Sequence, residues 1–184
     1  MRRRTLRFMR DMSPRYNPVQ SEEILPDVLA PGLRVVFCGV APGRVSAARR
    51  AYYAGPGNKF WPMLYKTGLT PRLFAPHEYA KVLELGIGLT DVSKTGFGAD
   101  HELAPEAFDP EGFLRKIDLY RPRAVAFDGK FAAKKAFAVK TIPYGRQAEP
   151  LFGATVFVLP SPSGRARRFW DERYWFELAA FVRG

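Results

Sequence analysis

Apolar residues along this chain fall into short near-continuous runs separated by longer stretches of helical spacing. Leu33 to Val40 is almost uninterruptedly apolar, as in a central parallel strand buried on both faces. Asn58 is placed to cap a helix that turns Phe60, Trp61, Leu64 and Tyr65 inward and stops at Gly68. Pro76 to Leu85 reads as a further helix, followed by GIGLTD, whose glycines and aspartate read as turn-rich. Asp109 and Pro110 form a cap and a first-turn proline, opening a helix with Phe113, Leu114, Ile117 and Leu119 inward. Ala124 to Phe127 then predicts a strand, Gly129 to Ala138 a short lysine-rich helix and Thr155 to Leu159 a strand. Asp171 to Val182 predicts a closing amphipathic helix with Tyr174, Leu178 and Phe181 inward. Strands separated by helices imply an α/β fold: one domain with a mostly parallel sheet covered on both faces.

Residues 1–22 break this pattern. They read as a basic, proline-broken, flexible arm, leaving residues 23–184 as the folded domain. Six arginines against Asp11 in residues 1–15 supply +5 of the net +11, so the rest of the chain is still basic and suits a polyanionic partner. The 47% hydrophobic content excludes a disordered chain, and 184 residues can bury a sizeable core. The single Cys38 lies in the first apolar strand, where a buried thiol is expected; no Cys/His cluster suggests a metal, and no disulfide can form within the chain. A reducing cytoplasm is the expected setting, with nucleoid association if the source is bacterial. The arm lacks the apolar segment of a signal peptide, and no apolar run is long enough to span a membrane.

Two segments carry candidate chemistry. VVFCGVAPG is followed closely by AGPGNKFW (Val35 to Trp61), and VLPSPSGRARRF spans Val158 to Phe169. Each puts a turn of small residues directly after an apolar β-branched run, the place where open α/β sheets bind ligands. In the turn Gly39, Val40, Ala41, Pro42 and Gly43, glycine permits close backbone approach to a ligand and proline fixes the bend. Tyr52, Tyr53, Phe60 and Trp61 bracket the Gly/Pro loop and offer a wall for a planar ring, with Phe60 and Trp61 the more core-like pair. Ser161, Pro162, Ser163, Gly164, Arg165, Ala166, Arg167 and Arg168 combine a tight turn with three cations suited to phosphates.

With GIGLTDVSKT (Gly86 to Thr95) and YRPRAVAFDGK (Tyr120 to Lys130), these segments resemble, in order, the mismatch-specific uracil-DNA glycosylases and thymine-DNA glycosylases. This is a branch of the uracil-DNA glycosylase superfamily, and the resemblance runs from about Leu25 to Val182. It implies an α/β/α sandwich that flips uracil out of duplex DNA and hydrolyses the base–sugar bond as a monomer, without metal or cofactor. Position by position, Gly39 to Gly43 would underlie the flipped base, Tyr53 would stack on it, and Ser46, Asn58 and Ser161 would line the same pocket. Arg165 falls at the wedge position, within a DNA-contacting loop that includes Ser163, Gly164, Ala166, Arg167 and Arg168.

Ala41 departs from the pattern. It stands where the family carries the asparagine that positions water, and alanine has no group for that task. Asp91 is the candidate replacement, because a carboxylate facing the sugar can stabilise developing positive charge and accept water's proton. Asp128, at the end of AVAF, is the rival carboxylate. A turn-capping role for Asp91 and a catalytically inactive, lesion-binding relative are the alternatives that Ala41 leaves open. A helix-hairpin-helix at Leu83 to Thr90 ranks last, because TDVSKTGFG is a poor second helix. Neither G-x-S-x-G nor a dinucleotide fingerprint after the first strand is present.

Overall fold

The computed structural model describes residues 23–184, so the basic arm lies outside the described residues. The elements are β1 (Val35–Gly39), α1 (Arg44–Arg49), α2 (Phe60–Lys66), a 3₁₀ helix (Pro76–Leu85), β2 (Ile87–Asp91), α3 (Pro110–Tyr120), β3 (Ala124–Phe127), α4 (Lys130–Phe137), β4 (Gly145–Arg146), β5 (Thr155–Val158) and α5 (Arg173–Arg183). Two further short 3₁₀ turns precede α3. The sheet order is β2-β1-β3-β5-β4, parallel except for the two-residue edge strand β4.

Strand alternation divides the core into two layers. Val35, Phe37, Ile87, Leu89, Ala124, Ala126 and Phe157 face Phe60, Trp61 and Leu64 of α2 and Trp175, Leu178, Ala179 and Val182 of α5. Val36, Cys38, Val125, Phe127, Val156 and Val158 face Phe113 and Ile117 of α3 and Ala132, Ala133 and Ala136 of α4. Every residue of β1, β2 and β3 is buried, the signature of a parallel sheet covered on both sides. Chain order reverses around β1, which has β2 on one side and β3 on the other. In such sheets the crevice outside the strands' carboxyl ends at this point is the usual ligand site.

The local expectations hold at the start of α3. Asp109 Oδ1 accepts from Gly112 N at 2.7 Å and Pro110 opens α3. Asn58 falls one residue short of the cap expected of it: Lys59 is the N-cap of α2 and makes no side-chain cap bond, while Asn58 Oδ1 accepts from Phe60 N at 2.9 Å just ahead of the helix.

Others need correction. GIGLTD is mostly the buried strand β2. Its glycines do different work: Gly86, with φ 70°, ends the 3₁₀ helix. A Cβ at Gly88 would meet Val28 O at 2.9 Å, so that glycine admits the neighbouring chain rather than making a turn. A strand at this place also excludes the helix-hairpin-helix. Pro76–Leu85 is 3₁₀ rather than α; with Val82 its one buried residue, it has no broad apolar stripe to enforce α geometry.

Tyr65 is 52% and Leu119 73% exposed, because each lies around its helix from the buried set. In α5 the inward residues are Trp175, Leu178, Ala179 and Val182, with Tyr174 and Phe181 at the margin. Periodicity permitted either face, and Phe181 takes the one over which Arg123 and Arg146 place their guanidinium groups. The short helix α1 and edge strand β4 had no clear sequence signal.

Candidate active site at the carboxyl ends of β1, β2 and β3

Register brings the site together. Gly39 pairs with Asp91 across β1 and β2, and Asp128 N extends the β1–β3 ladder by donating to Cys38 O at 3.2 Å. Asp91, Gly39 and Asp128 therefore sit side by side on three neighbouring strands. Alternation turns both carboxyl groups to the face that carries Tyr52, Tyr53 and Phe60.

Gly39 makes the juxtaposition possible. A Cβ there would lie 2.5 Å from Asp91 Oδ1 and 3.5 Å from Asp128 Oδ1. The two Oδ1 atoms are thus no more than about 6 Å apart, close enough for each to act on the other's ionisation.

Both carboxyl groups are buried, Asp91 at 5% and Asp128 at 7% exposure. Asp91 Oδ2, Asp128 Oδ2 and Tyr53 Oη each lack a hydrogen-bond partner, and they are the only such buried side-chain atoms among the described residues. Buried polar groups are rarely left unpaired without a functional reason. Burial pushes the Asp91 pKa up to about 7, a rise that the Lys94 charge partly offsets. Burial pushes Asp128 up to about 8; the Tyr53 hydroxyl opposes this and the Asp91 charge adds to it. The Tyr53 hydroxyl thus lies near enough to Asp128 to act on its charge, but short of good hydrogen-bond geometry.

Lys94, which sequence reading passed over, is the cation on the Asp91 side. Its Nζ donates to Leu25 O at 2.6 Å and to Tyr52 Oη at 3.2 Å, and pairs with Asp27 at 2.8 Å. Asp27 also pairs with Lys116 and accepts from Thr90 Oγ1 at 2.7 Å. Burial works to raise the Asp27 pKa, but the two lysines outweigh it and hold the carboxyl below its ordinary value. This largely buried network ties β2 to the chain preceding β1. The one signal for it was a lysine inside the DVSK segment, and nothing in the sequence indicated that the lysine turned inward.

The four aromatics of this loop gather together, but Tyr52, Phe60 and Trp61 are buried in the core, and only Tyr53 among them is partly exposed. Tyr53 stacks on Phe60 with ring centroids 3.7 Å apart and planes 15° apart. Tyr53 is held at φ 56°, a strained setting for a tyrosine, next to Ala54, whose N–H donates to Ser46 Oγ at 3.0 Å. Ser46 is buried and engaged with the loop backbone. Asn58 spends its carbonyl on Phe60 N. Val40 and Ala41 are partly exposed in the turn before α1, where Val40 O accepts from Ser93 N, Pro42 O accepts from Gly98 N and Gly43 is exposed.

The second predicted segment reaches the same rim. Lys59 N donates to Pro162 O at 2.8 Å, and a Cβ at Gly164 would meet Pro56 O at 2.7 Å, so the Ser/Pro/Arg loop lies directly on the Gly/Pro loop. Ser161 approaches Gly129, next to Asp128, and its Oγ accepts from Ser163 N. Arg165, Arg167 and Arg168 are exposed, with Arg167 Nε donating to Gly164 O; Ala166 is half-buried between them. Two stretches far apart in sequence thus form one edge above the buried carboxylates. Among the described residues no group of three or more His, Cys, Asp or Glu is placed to hold a metal.

The family model for the uracil DNA glycosylase superfamily matches residues 26–182. The chain belongs to the uracil DNA glycosylase superfamily. A solved relative agrees: the solution NMR structure of a candidate uracil DNA glycosylase from Methanosarcina acetivorans matches with a TM-score of 0.62 and 25% sequence identity, covering 87% of this chain and 97% of that one. Superfamily membership and the α/β architecture are therefore consistent.

Proposed function

We propose that this chain is a monofunctional DNA glycosylase that extrudes uracil from duplex DNA, G:U mismatches in particular, and hydrolyses the N-glycosidic bond to leave an abasic site. The observation that carries this reading is Asp91, buried, unpaired and pressed against Gly39 at the strand ends, beside the Ala41 turn. Cleavage builds positive charge on the deoxyribose. A carboxylate held out of water stabilises that charge strongly and can accept the proton of an attacking water. Asp91 thereby takes the task that Ala41 has no group to perform. Tyr53 supplies the stacking face, the Gly39 to Gly43 backbone the polar edge of the pocket, and Arg165 the wedge that fills the vacated stack.

The test is a cleavage assay on labelled duplexes with a single G:U, A:U or G:T pair, followed by alkali. Wild type should cut G:U, while Asp91→Ala and Asp91→Asn should lose about 10² to 10⁴-fold in single-turnover rate with duplex binding kept. Ala41→Asn should partly restore cleavage to an Asp91→Ala background. Binding to uracil-containing duplexes without cleavage of any of them would make the chain an inactive lesion binder instead.

A further inference from the structure

The proposed attack on the sugar uses Asp91 alone, yet Asp128 is also buried, unpaired at one oxygen and placed against Gly39. Its Oδ1 and Oδ2 lie 3.5 and 3.8 Å from where a Gly39 side chain would begin. Its surroundings differ in one respect. Asp91 has the Lys94 cation nearby, whereas Asp128 has the Tyr53 hydroxyl and its own backbone N–H, which favour ionisation, set against burial and the Asp91 and, more weakly, Asp100 carboxylates, which oppose it. None of these groups is a cation. The Tyr53 hydroxyl that bears on Asp128 belongs to the ring proposed to stack on the base, so Asp128 is the carboxyl beside the proposed base position and Asp91 the one beside Lys94.

We propose that Asp128 is a second catalytic group, the acid that hands its proton to the departing pyrimidine while Asp91 serves the water. The inference rests on the glycosylase reading given above. As the C1′–N1 bond breaks, its electron pair leaves on uracil, where charge spreads onto O2 and O4; the Asp128 proton neutralises it. Water adds to C1′ and gives its proton to Asp91. The products are neutral uracil and the abasic sugar, with Asp91 protonated and Asp128 ionised. Proton exchange between two groups within about 6 Å, through Tyr53 Oη or solvent, resets the site. Pairs of titratable groups whose environments differ in this way are the usual means of assigning acid and base roles.

The experiment compares uracil with 5-fluorouracil in the same duplex, because fluorine stabilises the departing anion and lessens the need for an acid. Single-turnover rates are measured for wild type, Asp128→Ala, Asp128→Asn and Asp91→Asn, with thermal melting to confirm folding. Both Asp128 variants should lose about 10² to 10⁴-fold on uracil and at least about tenfold less on 5-fluorouracil, while Asp91→Asn should lose by similar factors on both. The isosteric Asp128→Asn should also abolish the fall in wild-type rate at alkaline pH and keep the rise at lower pH. Equal losses by Asp128→Asn on the two bases, or near-normal cleavage of uracil, would overturn the Asp128 assignment alone. Failure of wild type on both bases would overturn the glycosylase reading and this assignment with it.

Discussion

Replacing Asp91 with asparagine should make the protein more resistant to unfolding at alkaline pH, relative to wild type, than at acid pH. Burial raises this carboxyl from 3.8 to about 7, so between those values the native state holds a proton that the unfolded chain has released. Stability therefore falls as pH rises across that window, the reverse of a salt-bridged aspartate. With these two pKa values, the Asp91 contribution changes by about 2–3 kcal/mol between roughly pH 5 and pH 8. Asparagine does not titrate, so the variant lacks this loss. Because the Asp91 charge also pushes Asp128 upward, its removal relieves the second carboxyl in the same direction.

The absolute effect at one pH is less informative. An asparagine amide placed where Asp91 Oδ2 has no partner would itself cost about 1–3 kcal/mol, but that cost is the same at both pH values and cancels in the comparison. Urea unfolding of both proteins near pH 5 and near pH 8 gives the needed double difference. A value near 2–3 kcal/mol, paired with loss of cleavage, would mean that the charge required for chemistry is held at the expense of the fold. A stability difference that does not change with pH would refute the premise that Asp91 is buried beyond easy ionisation.

Three further outcomes are expected. Arg165→Ala should impair excision more from A:U than from G:U pairs, since a wedge matters most where base opening is costliest; equal loss on both, in single-turnover assays, would make Arg165 a phosphate ligand only. Gly39→Ala should destabilise the fold by about 1–3 kcal/mol and depress uracil excision as well, because the added methyl lies 2.5 Å from Asp91 Oδ1; melting and cleavage assays on one preparation check both. Deleting residues 1–15 should weaken duplex binding and flatten its dependence on salt while leaving cleavage by saturating enzyme largely intact, and a collapse of cleavage would put the arm in the site.

The fold was legible wherever a strand read as apolar without interruption. VVFC, AVAF and TVFV are buried on both faces, so their sequences had no polar alternation to blur them. β2 was missed for a specific reason: its IGLTD carries a glycine and a terminal aspartate, both of which signal turns locally. Gly88 is there for packing, where a Cβ would strike Leu33 Cδ1 at 2.7 Å and Val28 O at 2.9 Å. That constraint comes from a segment nearly 60 positions earlier in the chain, bridged to β2 through Val28 and Leu89, and no local window contains it.

The same reasoning explains which part of the site the sequence revealed. Asp91 was singled out because of Ala41, a residue defined by what it lacks; the partners that give Asp91 its character were not visible. Lys94 and Asp27 had no distinguishing signal in the sequence, and only the fold turns the lysine inward so that its charge offsets part of the cost of burying Asp91. Asp128 was visible only as a competitor for one role. In the structure Gly39 separates the two carboxylates by the width of a single strand, with a lysine on one side and a tyrosine hydroxyl on the other. Two acids so close resist ionising together, so competition for one role becomes a reason for each to have its own: in the mechanism proposed above, one carboxylate keeps its charge for the sugar and the other its proton for the base.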